Sequence, residues 1–126
     1  MSTALWLAAL LAFGVGIAHS VLGEKFILVR LFRRDDLPKL FGDATFTVRT
    51  LRFAWHITTV AWWGFAAMLA LAARGTLTVS SAMQVIAFTM LVHAAVILIA
   101  SRGRHFAWPV FAAIGLIAWF TAPRLS

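Results

Sequence analysis

The chain has 126 residues, 63% of them hydrophobic and 12% charged, with a mean hydropathy of +0.94. A soluble domain of this size could not hide so much apolar surface, so the excess must meet lipid. The net charge of +7 does not point to nucleic acid, because the cations sit in short segments between apolar runs, where a membrane protein keeps them.

The first apolar run, 4–22, carries no charge. No Lys or Arg precedes it and it is long for a cleaved signal peptide, so it reads as a retained span. Ala8, Ala12, Gly16 and Ser20 recur every four residues, a small-residue face that lets another helix approach closely. The same series reaches Glu24 one turn later, and His19 lies beside it.

Residues 24–52 form the one long connection. Lys25, Arg30, Arg33, Arg34, Lys39, Arg49 and Arg52 alternate there with Phe26, Ile27, Leu28, Leu31, Phe32, Leu40 and Phe41. Such a mixture predicts a helix that leaves the membrane and then a short amphipathic segment on anionic headgroups. Asp36 is expected to cap a new turn holding Pro38, and Gly42-Asp43 to break the chain before the next helix.

A second span is expected over 53–73, closed by Arg74-Gly75. A third, 82–100, would be capped by Thr78 or Ser80, and a fourth, 106–122, would carry Pro109 in its first turn or so. The fold expected is therefore all-α: a single integral membrane domain, 1–126, built as an antiparallel four-transmembrane-helix bundle. Seven cations in the first connection, with Arg102 and Arg104 in the third, outweigh Arg74 and Arg124 at the other end. The positive-inside bias then places the basic loop in the cytoplasm and both termini in the periplasm of an inner membrane.

The functional residues gather at the basic end. On one helix, Arg49, Arg52, His56, Thr59 and Trp63 fall near one line. His19 and His56 should each lie roughly 6 Å inside the boundary, His93 about one turn deeper on a face with Thr89, and His105 at the edge. Ionisable groups within spans are costly and by default suggest function. The absence of cysteine excludes a thiolate site. A divalent metal (zinc, iron or copper) could instead take His19, His56 and His93 with Glu24 or His105. A haem b, or a quinone, could use His19 and His56 on facing helices, with Arg49 and Arg52 toward propionates and Trp55 stacked on the ring. A third reading is a proton- or ion-coupled path through Glu24 and the histidines, formed in a homo-oligomer because four short helices enclose little space. The simplest alternative is that each histidine only hydrogen-bonds across helices.

In layout the chain is similar to the family of eicosanoid- and glutathione-metabolising membrane proteins. These also have four spans, a basic cytoplasmic loop before the second helix, and an arginine-plus-histidine stretch at its start. Arg49, Arg52 and His56 match that stretch, and the resemblance would imply a membrane transferase. The Glu-Arg and Ala-His-x-Asn patterns of that family are missing here.

Overall fold

In the computed structural model, which describes residues 2–125, α1 (Thr3–Gly23) runs without a break into a five-residue π-helical stretch, Glu24–Leu28, and a last turn, Val29–Leu31. Then follow α2 (Thr45–Ala73), α3 (Val79–Ser101) and α4 (Ala107–Thr121), which ends in a 3-10 turn, Ala122–Leu125. The fold is an all-α bundle of four antiparallel transmembrane helices, each long and apolar enough to cross a bilayer.

Local chemistry fixes the helix ends. Thr78, not Ser80, caps α3: its Oγ1 takes the Ser81 amide at 3.0 Å while Ser81 Oγ accepts the Thr78 amide at 2.8 Å, a reciprocal box. Gly75 closes α2 at φ +70, a conformation that costs glycine little. α2 starts at Thr45, directly after the break expected at Gly42-Asp43 and eight residues before the apolar span expected from 53, because Asp43 Oδ1 accepts the Thr45 amide at 2.8 Å and so supplies the missing partner of a helix start. Arg49 and Arg52, within the expected 24–52 connection, lie on this helix with His56, as their spacing predicts.

The connection itself differs from expectation at one point. Asp36 caps no helical turn; its two carboxylate oxygens are taken bidentately by Arg34, two residues before it. That charge-assisted fork satisfies the side chain locally, and the helix-start geometry is lost to it. Arg34 also holds the Asp36 carboxyl below its ordinary range.

Packing is sequential. α1 lies on α2, α2 on α3 and α3 on α4, with the α2–α3 junction thinner than the other two, so the bundle is two helical hairpins side by side. In α1 the buried positions are Ala9, Gly16 and Gly23, seven apart; in α2 they are Phe53, which packs on His105, and then Thr59, Ala66 and Ala73, again seven apart. Seven-residue spacing is the heptad of a left-handed pair, and residues this small let the backbones come close. A Cβ on Gly16 would sit 2.8 Å from Trp63 Nε1 and one on Gly64 2.7 Å from Thr89 Oγ1, so both approaches are tight. The expected four-residue series is thus right at Gly16 but drifts at Ala8, where Ala9 is the more buried. A strict repeat of four precesses around a helix, whereas alternating steps of four and three follow the neighbour.

Candidate functional site

The α1–α2 seam carries a continuous polar chain. Arg52 Nη2 lies 3.0 Å from Glu24 Oε1, and Glu24 Oε2 lies 3.1 Å from His56 Nε2. His56 Nδ1 meets Ser20 Oγ at 2.9 Å, Ser20 Oγ meets Thr59 Oγ1 at 2.7 Å, and Thr59 Oγ1 donates to the Gly16 carbonyl at 3.0 Å. Steps of four along α1 and its π-helical continuation, and of four and three along α2, set the ladder: Gly16, Ser20 and Glu24 face Arg52, His56 and Thr59. Glu24 opens the π-helical stretch, where its carbonyl takes the amide of Val29, five residues on. Phe32, beyond that stretch, places its ring 4.9 Å beneath the Arg52 guanidinium and helps to hold it toward Glu24.

Counting protons assigns the direction of every link. A carbonyl only accepts, so Thr59 gives its one hydroxyl proton to Gly16. Ser20 must then donate to Thr59, which leaves His56 Nδ1–H to donate to Ser20. One link remains, between His56 Nε2 and Glu24. With a neutral imidazole and a carboxylate it would set two lone pairs against each other. It closes only with a further proton, carried either by Nε2 as an imidazolium or by Glu24 as a neutral acid. Removing that proton lets Nε2–H turn to Glu24, makes Nδ1 accept from Ser20, and breaks one link farther down.

The other predicted residues go elsewhere. His19 faces Trp55: the rings lie 4.5 Å apart and 2° from parallel, His19 Nε2 donates to the Trp55 carbonyl at 3.2 Å, and Trp55 Nε1 donates to the His19 carbonyl at 3.0 Å. His19 lines an outward-open apolar groove with Trp55 and Trp62, while His56 is turned into the seam. His93, buried on α3, donates Nδ1–H to the carbonyl of Thr89 on its own helix at 2.7 Å and stacks on Phe111. His105 accepts the Ala107 amide on Nδ1 at 3.2 Å, a cap for α4, and packs between Phe46 and Phe53. Of the metal ligands expected, the structure brings together His56 and Glu24; His19, His93 and His105 are each engaged apart from them. Among the described residues no group of three or more His, Cys, Asp or Glu is gathered closely enough to hold a metal ion. Arg49 and Arg52 also part company: Arg52 goes to Glu24, and Arg49 faces the α3–α4 turn.

Glu24, His56 and Ser20 make an acid–base–hydroxyl series, but Ser20 is no free nucleophile. Its proton is given to Thr59, whose hydroxyl is tied to Gly16. Sequence reasoning grouped Ser20 with the packing residues and passed over Gly23, which lies so close to the Trp55 indole that any Cβ there would overlap it. The four-residue register of Ser20 with Glu24 on one helix, and of Arg52 with His56 on the other, was the signal for a polar ladder.

Comparison with known protein families, with curated proteins and with solved structures finds no match to this chain.

Proposed function

We propose that the protein is a proton-coupled membrane carrier whose proton-binding group is the Glu24–His56 pair. One observation carries this reading: the hydrogen-bonded chain from Glu24 to Gly16 closes only when the pair holds an extra proton. Proton release therefore reverses the Ser20 hydroxyl, and that of Thr59 where its bond to Gly16 is the link given up. Beyond Gly16 the seam is aromatic, with Phe13 stacked on Trp63. Protons thus enter and leave at the basic end, which favours a carrier over an open proton channel. Trp63 donates to the Phe13 carbonyl on one side and, on the other, lines an apolar groove of about 770 Å³ between α2 and α3. That groove is where an apolar or amphiphilic cargo would sit. The working form is a homo-oligomer in an inner membrane, with the basic end cytoplasmic and against anionic lipids.

A divalent metal would have to replace this proton with two protein ligands in reach, and a haem would have to draw Arg52 away from Glu24. Neither reading has an observation in its favour comparable to the proton count.

Glu24→Gln separates proton binding from mere packing. A glutamine amide N–H can donate to His56 Nε2 and close the chain with no titrating proton. In weakly buffered detergent solution with a pH-sensitive dye, a rapid pH drop is expected to show the wild type binding more protons per chain than Glu24→Gln, which should be folded. Nitrogen-15 spectra should show His56 changing its proton positions with pH in the wild type and not in the variant. If the variant binds as many protons as the wild type, or His56 behaves identically in both, the proposal fails.

A further inference from the structure

A second polar cavity lies outside the seam, at the same end of the bundle. It holds about 220 Å³ between the 40–46 turn and the α3–α4 turn, and its walls include Phe41, Asp43, Phe46, Arg49, Arg102 and Arg104. Among the described residues none of these three guanidinium groups forms an ion pair or donates a hydrogen bond. Asp43 is the one carboxylate in the wall, and its Oδ1 is already accepting from the Thr45 amide. Three arginines against one aspartate leave the cavity with two uncompensated positive charges.

The backbone is bent to put them there. Among the described residues two non-glycine residues have a positive φ, Phe41 at 58° and Arg102 at 52°, and both line this cavity. A side chain in that region is strained, and such strain tends to collect at binding sites. Arg102 is fixed by the turn that ends α3, where its amide donates to Ile99 and that of Gly103 to Leu98. Arg104 follows from the same turn, with its amide on Ser101.

We infer that this cavity binds a phosphate-type oxyanion, with Arg49, Arg102 and Arg104 as its ligands. A planar guanidinium fork matches phosphate oxygens in pairs, and three unpaired forks around one small space meet that chemistry. The volume falls below the several hundred Å³ of a drug-sized site, so it takes a headgroup or a small anion and leaves acyl chains outside. Phe41, 80% exposed on the rim, stands where such chains would lie. The site is independent of the proton chain, since Arg52 is not part of it.

The oxyanion could come from solution or from a lipid. In one arm, full-length protein in neutral detergent and phosphate-free buffer is titrated with inorganic phosphate, followed by its thermal unfolding. In the other, protein in phosphatidylcholine discs doped with phosphatidylglycerol is examined by native mass spectrometry for retained lipid. A response in the first arm identifies a soluble anion, retained phosphatidylglycerol a bilayer phosphodiester; either supports the site. In the responding arm, Arg49→Gln and the pair Arg102→Gln/Arg104→Gln should each weaken binding about tenfold or more. Asp43→Asn keeps an acceptor for the Thr45 amide and should tighten it. The pair Arg30→Gln/Arg33→Gln removes equal charge outside the cavity and should change binding little. No response in either arm overturns the site, as does an equal loss in the outside pair, which would mean diffuse attraction to a basic surface.

Discussion

His19 and Trp55 hold each other twice: each side chain donates to the other's backbone carbonyl while the rings lie face to face. The indole fits because residue 23 has no side chain, and its atoms occupy the space that a Cβ would need. Gly23→Ala should therefore destabilise the helix pair by about 1–3 kcal/mol, the usual cost of overpacking. Gly14, on the same helix, has open space within 4 Å of where a methyl group would stand, so Gly14→Ala should stabilise by roughly 0.5–1 kcal/mol through backbone entropy. Equilibrium unfolding of both variants in mixed detergent measures the difference. Equal effects would mean that the seam is looser than its glycine implies.

The same substitution should act with opposite sign at two threonines. Thr59 Oγ1 both donates to Gly16 and accepts from Ser20, so Thr59→Val removes two links and should cost about 1–2 kcal/mol, given the modest worth of such bonds in membranes. Thr50 Oγ1 is buried without a hydrogen-bond partner among the described residues. Thr50→Val removes a desolvated hydroxyl and should stabilise by up to about 1 kcal/mol. Unfolding midpoints that move the same way for both would contradict the hydrogen-bond assignment.

Acid should loosen the start of α2. The Thr45 amide and hydroxyl hold the Asp43 carboxyl below its ordinary value near 3.8, helped to a smaller extent by Arg104 and Arg49. Because the folded value lies below the unfolded one, the stabilisation is complete above 3.8 and is lost as pH falls through the lower, folded value. Amide exchange at Thr45 should accelerate in that window beyond its intrinsic trend. Asp43→Asn, which cannot titrate, should abolish the extra acceleration.

Orientation can be read by labelling. Cysteines placed at Thr3 and Asp35, both exposed and at opposite ends of α1, should react with impermeant reagents from opposite sides of the membrane. Asp35 should label from the cytoplasm, as the excess of cations on its side requires. Labelling of both from one side would remove the common depth on which the basic-end grouping rests.

Much of this was readable from the residues alone. Charge-free runs with cations between them define four helices, because lipid leaves few other solutions. The polar ladder was half visible: Ser20 and Glu24 share a face, as do Arg52, His56 and Thr59, but nothing in either stretch says that the two faces meet. The histidines misled by their shared depth. Depth follows from position along a helix, whereas partnership follows from rotation about it, and His93 turns out to bond its own helix at Thr89. Arg49 and Arg52 are three residues apart, close enough to seem one patch, yet Arg52 reaches α1 and Arg49 the α3–α4 turn. The π-helical stretch left no trace at all, since an amide that skips to the fifth carbonyl needs no special residue.

The layout of two hairpins has a consequence for how the chain enters a bilayer. α1 has its extensive helix packing with α2, and its groups facing that partner include Ser20, His19 and Glu24. A newly made α1 alone in hydrocarbon would leave these groups stranded until α2 arrived to answer them. Arg52 and His56 lie near the start of α2, so the partners of Glu24 are made before the rest of that helix. The first two helices are therefore best inserted together, their free ends crossing while the loop between them stays on the basic side, with the ion pair at its shoulder closing the polar seam before lipid can reach it.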